Sequence, residues 1–115
     1  MTYRQKAYVE HTAIRVKDIR WYINFFQEAL NMPVKMTDGD KMNPAQVWLN
    51  GGIQLISESI EKVDESQLAH IGIMVEDLDD ALNEVYKWGV TEMKQGHNWV
   101  KLPDGLCLEL LQEKR

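Results

Sequence analysis

Two histidines repeat in matching surroundings. His11-Thr-Ala-Ile-Arg-Val-Lys-Asp-Ile19 and His70-Ile-Gly-Ile-Met-Val-Glu-Asp-Leu78 share one pattern: a histidine, an apolar alternation, an aspartate, then an apolar residue opening a helix. Neutral imidazole suits Zn, Ni, Fe and Co, and a carboxylate adds hard oxygen and negative charge. Glu109 supplies such a carboxylate inside the Leu-rich run Leu106–Leu111, where an unpaired charge facing an interior is costly. Gln54, in Ile53-Gln-Leu-Ile56, holds the corresponding place in the first half. Taken singly, each histidine also reads as a hydrogen-bonded strand residue, and Gln54 alone says little. The matched placement of all four favours a divalent-metal site built from His11, Gln54, His70 and Glu109. Four protein ligands leave open positions on a five- or six-coordinate ion, and two of them would accept neighbouring oxygens of one substrate.

The elements that must carry these residues follow from periodicity. A strand beginning at each histidine leads into a helix. The spacing predicts the first helix over about 19–30, capped by Asp18, with Ile19, Ile23, Phe26 and Leu30 as its apolar stripe. Asn31 suits a left-handed end and Pro33 blocks continuation. The second helix is predicted over about 78–88, capped by Asp77 or Asp79, with Leu78, Ala81, Leu82 and Val85 as its stripe and Gly89 as its end. Hairpin-like strands come next: Gln46–Ile56 around Asn50-Gly51-Gly52, and Trp99–Leu111 around Pro103-Asp104-Gly105. Further strands fit near 34–36 and 90–94, and 37–45 reads as a loop. Each half is then β–α–β–β or longer, with module one at about 7–56, a polar linker at about 57–67 and module two at about 68–113 of one domain, 1–115.

Strand alternation sorts the faces. Thr12, Ile14 and Val16 oppose His11, Ala13 and Arg15; Ile71, Ile73 and Val75 oppose His70, Gly72 and Met74. The helices need the apolar faces, so both histidines point away from the helix layer. By the same parity Gln54 and Glu109 share the histidine side.

Composition narrows the function classes. The 115 residues are 44% hydrophobic and 27% charged, an ordinary globular balance with a formal charge of −5. Basic residues form no stripe, so nucleic-acid binding is not expected. No apolar run is long enough for a membrane span, and no signal-like apolar segment follows Met1–Lys6. Cys107 is the lone cysteine, which excludes an intramolecular disulfide and a cysteine zinc site and suits a reducing, cytoplasmic setting. No P-loop or GxGxxG is present.

The pattern His-x-x-x-x-Val-x-Asp-hydrophobic, met at His11 and His70, together with the ending Pro103-Asp104-Gly105-Leu-Cys-Leu-Glu109-Leu, resembles the vicinal-oxygen-chelate superfamily of glyoxalase I, bleomycin-resistance proteins and methylmalonyl-CoA epimerase. The usual ending is Asp-Pro-Asp-Gly; here Leu102 replaces the first Asp. The resemblance covers residues 7–113. It implies an α+β fold of two pseudo-symmetric βαβββ modules forming an incomplete barrel around a metal. His11, Gln54, His70 and Glu109 match the family's four ligand positions. It further implies one divalent ion per site (Ni, Zn, Co, Mn or Fe), a small-molecule substrate and a homodimer.

Three functions compete on this reading. The first is a glyoxalase I-type isomerase, lyase or epimerase that stabilises an enolate or enediolate on a small oxygen-rich substrate, with Glu109 as the base. The second is an antibiotic-modifying or oxygenase relative, which needs only the two histidines and the glutamate. The third is a non-catalytic binding module. Arg15, Trp48, His97 and Trp99 are candidate substrate contacts, each with an ordinary surface or core role as the plainer alternative.

Overall fold

The computed structural model describes residues 2–58 and 67–114. Among them, eight strands and two α-helices make the mixed α+β class that the sequence predicts. The chain divides into two compact units: His11–Ala69, here the first, and Met1–Glu10 with His70–Arg115, the second. Most of the expected linker, residues 59–66, lies outside the described residues.

The first unit carries β1 (Ala7–Val16, from His11 onward), α1 (Ile19–Asn24), β2 (Val34–Gly39), β3 (Pro44–Leu49) and β4 (Ile53–Ser57), with strand order β2-β3-β4-β1. β1 runs parallel to β4, and β3 is antiparallel to both β2 and β4. The second unit repeats this with β5 (Leu68–Val75, from His70 onward), α2 (Leu78–Val85), β6 (Thr91–Met93), β7 (Gly96–Lys101) and β8 (Cys107–Gln112), in the order β5-β8-β7-β6. β5 is likewise parallel to β8. Each unit is therefore βαβββ with the same strand order.

Helix starts obey the capping argument. The Asp18 carboxylate accepts from the Trp21 N–H at 3.2 Å, and Asp77, not Asp79, accepts from the Asp80 N–H at 3.1 Å. α1 continues as a π-helical turn over Phe25–Ala29, and the chain leaves it through Asn31 at φ 56°. That wider turn breaks the 3.6-residue period. Ile19 and Ile23 are buried and Phe26 packs against the core, but Leu30 ends 53% exposed instead of joining the stripe. α2 closes with a 3₁₀ turn, Tyr86–Trp88, and Gly89 takes the left-handed conformation that ends it.

The expected loop at 37–45 is shorter, residues 40–43: β2 extends to Gly39 and β3 starts at Pro44, which sits at a strand's first position, where a missing N–H is tolerated. The hairpin at Asn50-Gly51-Gly52 forms, with positive φ on Gly51 and Gly52 and not on Asn50.

The helix-facing parity holds. In the first unit Val16, Ile19, Ile23, Val47, Leu49 and Leu55 form the core, with Ile14, Val34 and Ile53 packed against it. Each fully buried Leu or Val contributes roughly 1.5–3 kcal/mol by leaving water. In the second unit Val75, Ala81, Leu82, Val100 and Leu110 are buried. There the N-terminal residues also fasten the start of α2. The Tyr3 hydroxyl accepts from the Asp77 N–H at 3.1 Å, the Lys6 N–H donates to Glu76 at 2.7 Å, and Lys6 Nζ meets Glu113 at 3.0 Å.

Candidate metal centre

The same three-strand arrangement recurs in each unit on the sheet face turned from its helix. In the first, Ala13 of β1 pairs with Gln54 of β4, and Gln54 pairs with Trp48 of β3. In the second, Gly72 of β5 pairs with Glu109 of β8, and Glu109 pairs with Trp99 of β7. His11 stands two residues before Ala13, and His70 two before Gly72. Paired residues on neighbouring strands point to one face, so each unit presents a histidine, a small residue, an amide or carboxylate, and a tryptophan in equivalent places. Ala13 and Gly72 are both buried at this position; the sequence reading passed over them because small residues carry no chemical signal of their own.

In the second unit the ligand-type groups meet. His70 Nε2 lies 3.6 Å from Glu109 Oε1, with side chains 11% and 19% exposed. The Trp99 ring stands edge-on to the His70 imidazole, centroids 4.7 Å apart at 71°, and so limits its rotation. In the first unit His11 and Gln54 are buried, at 8% and 6% exposure. Gln54 Nε2 donates to Gln46 Oε1 at 2.5 Å, and Gln46 Nε2 donates to Asp38 Oδ2 at 2.9 Å. This Asp38–Gln46–Gln54 chain was invisible in the sequence, since residues 38 and 46 meet only through the β2–β3 register.

The remaining candidates go elsewhere. Arg15 shares the parity of His11 but lies four residues along β1, roughly 13 Å away. Its guanidinium donates to the Leu68 carbonyl at 3.2 Å and pairs with Glu58 at 3.5 Å. It lines a hollow of about 500 Å³ together with Asp18, Trp21, Tyr22 and Gln67, and neither His11 nor Gln54 borders that hollow. His97 Nδ1 sits 2.7 Å from Glu92, and its ring stacks on Tyr86 with centroids 4.4 Å apart. Burial, then the Glu92 charge, pushes the Tyr86 phenol above its ordinary pKa. The β6–β7 ladder shifts register between Glu92 and Met93, just across from His97, and the Tyr86 hydroxyl donates to the His97 carbonyl at 2.7 Å.

The donor set fits a divalent cation. In the second unit an imidazole and a carboxylate are ligands such ions take, and the His70–Glu109 separation lets a nitrogen and an oxygen reach one centre.

No protein-family model matches the chain, and no curated protein matches it. Solved structures do. A hypothetical protein from Bacillus halodurans C-125 superposes with TM-score 0.68 at 18% identity, covering 96% of this chain and 97% of that one. Methylmalonyl-CoA epimerase from Mycobacterium tuberculosis gives 0.62 at 18%, covering 93% and 88%. A homoprotocatechuate 2,3-dioxygenase from Brevibacterium fuscum gives 0.66 at 19%, and there the chain spans 32% of the longer protein. These neighbours are members of the vicinal-oxygen-chelate superfamily, and the chain has their fold. Among the described residues, no helix is long and apolar enough to cross a membrane.

Proposed function

We propose that the protein is a metal-dependent enzyme of the glyoxalase I type, an isomerase, epimerase or lyase acting on a small oxygen-rich molecule. His11, Gln54, His70 and Glu109 would hold one divalent ion, Ni, Zn, Co, Mn or Fe. The observation that carries this reading is the paired register: a histidine two residues before the partner of Gln54, and another two residues before the partner of Glu109. A bound ion supplies Lewis-acid polarisation of a substrate carbonyl. Glu109 takes the proton from the carbon beside that carbonyl, the electron pair moves to the carbonyl oxygen, and Glu109 returns the proton in a second step. Trp48 and Trp99 pair with Gln54 and Glu109 across the strands and would wall the substrate. A homodimer in the cytoplasm completes this reading, and light scattering tests the pairing.

The experiment is metal analysis of the protein purified without added metal, followed by a substrate screen with each of the five ions. One ion per chain and turnover of a substrate with an acidic proton next to a carbonyl are expected. A chain that neither retains nor takes up any of these ions would sink the proposal. Likeness to a ring-cleaving dioxygenase supports a second reading, an oxygenase or antibiotic-modifying relative. In that case Gln54 is dispensable for the metal, and catechol or epoxide substrates turn over instead. A binding module without catalysis is the outcome if ligands bind and nothing turns over.

A further inference from the structure

We infer that Asp38 and Gln46 are positioning residues which fix the Gln54 amide with its carbonyl oxygen toward the ion, an inference that rests on the metal reading above. An amide has two ends, and only the oxygen end can bind a cation; the NH₂ end repels it. Left alone, the side chain flips between the two. Asp38 breaks the tie. Its carboxylate only accepts hydrogen bonds, so Gln46 must turn its NH₂ toward it, as the 2.9 Å contact has it. Gln46 then offers Gln54 nothing but its oxygen, and Gln54 must donate its own NH₂ to it. The Gln54 Oε1 is left on the opposite side of the amide. A charge on β2 thus sets the polarity of a ligand two strands away.

The second unit marks what this device is for. Gln46 stands two residues before Trp48 on β3, and the residue two before Trp99 on β7 is His97, which turns to Glu92 and Tyr86 instead. Glu109 has two equivalent oxygens, so no polarity has to be set there.

The test is a Zn or Ni titration of the whole chain and three variants, with melting temperature measured alongside. Asp38→Asn gives residue 38 both a donor and an acceptor, so the chain of amides can reverse. Affinity should fall about tenfold, the lower end of what outer-shell ligand partners contribute. Gln46→Leu should lose at least as much. The double variant Asp38→Asn with Gln46→Glu keeps the net charge and restores the polarity: the new amide at position 38 donates to the new carboxylate at position 46, and that carboxylate accepts from Gln54. It should recover most of the lost affinity, which a role in mere packing would not produce. Unchanged affinity in Asp38→Asn, or a double variant as weak as the single one, overturns the inference. A wild-type chain that binds neither ion overturns the metal reading itself, so the two failures are told apart in one titration.

Discussion

In the first unit the residue beside Trp48 is Gln54; in the second, the residue beside Trp99 is Glu109. Strand order, parallel pairing and histidine offset are the same in both. The difference lies in what each half must supply. The amide is neutral, directional and held by a chain of hydrogen bonds ending on Asp38. The carboxylate is charged and two-fold symmetric, and it lies against an imidazole that in turn meets the Trp99 ring. On the function proposed above, a duplicated scaffold would divide labour at one register position: one copy would contribute an oriented dipole, the other the charge and the proton acceptor.

Breaking the histidines should have the largest effect. His70→Ala and His11→Ala should each abolish tight divalent-metal binding, measured as metal content after dialysis. If one variant keeps its ion and the other loses it, the two halves are not equivalent and the comparison fails.

The next effect separates the amide from the carboxylate. Glu109→Gln should lower turnover by roughly 10²–10⁴-fold, the usual worth of a positioned base. Part of the metal binding should survive, because an amide oxygen still coordinates. Gln54→Glu should retain or alter activity without abolishing it. Full turnover by Glu109→Gln with metal bound would remove the proton-transfer role.

Stability gives smaller contrasts. Asp18→Ala removes the cap of α1 and should cost about 1 kcal/mol in denaturant unfolding. Asp77→Ala should cost no more than that, since Tyr3 and Gln112 also take up backbone N–H groups at the start of α2. A larger loss from Asp77 than from Asp18 would contradict that sharing.

The smallest effect concerns Lys6, in the second unit. Its hydrogen bond to Glu113, then the Glu113 charge, raises the ammonium pKa above 10.5. A raised pKa in the folded state means the stabilisation is present at lower pH and is lost as the pH rises through that value. Lys6→Met should therefore lower the melting temperature slightly at neutral pH, and the gap from wild type should close above about pH 10.5.

Much of this was legible in the chain. The repeat, the caps at Asp18 and Asp77, the closing Gly89 and the helix-facing parity of Ile14, Val16 and Leu55 follow from local rules. Side-chain period and the need to satisfy the first N–H groups of a helix act within a few residues. Leu30 escaped because a π turn shifts the period without a sequence marker, and 37–45 escaped because its strands are held by a ladder partner and not by their own composition. For His97 the plainer reading, a surface histidine, describes its place: its side chain is 64% exposed and meets Glu92 and Tyr86.

By itself, the sequence determined which residue types suited to metal ligation it holds and that they come twice on matching strands. Only the tertiary structure decided which side chains meet. The His70–Glu109 contact, the tryptophans flanking Gln54 and Glu109, and the Asp38–Gln46–Gln54 chain all depend on inter-strand register. Register is fixed by hydrogen bonds between segments far apart in the chain, and a one-residue slip would turn every one of these groups to the other face.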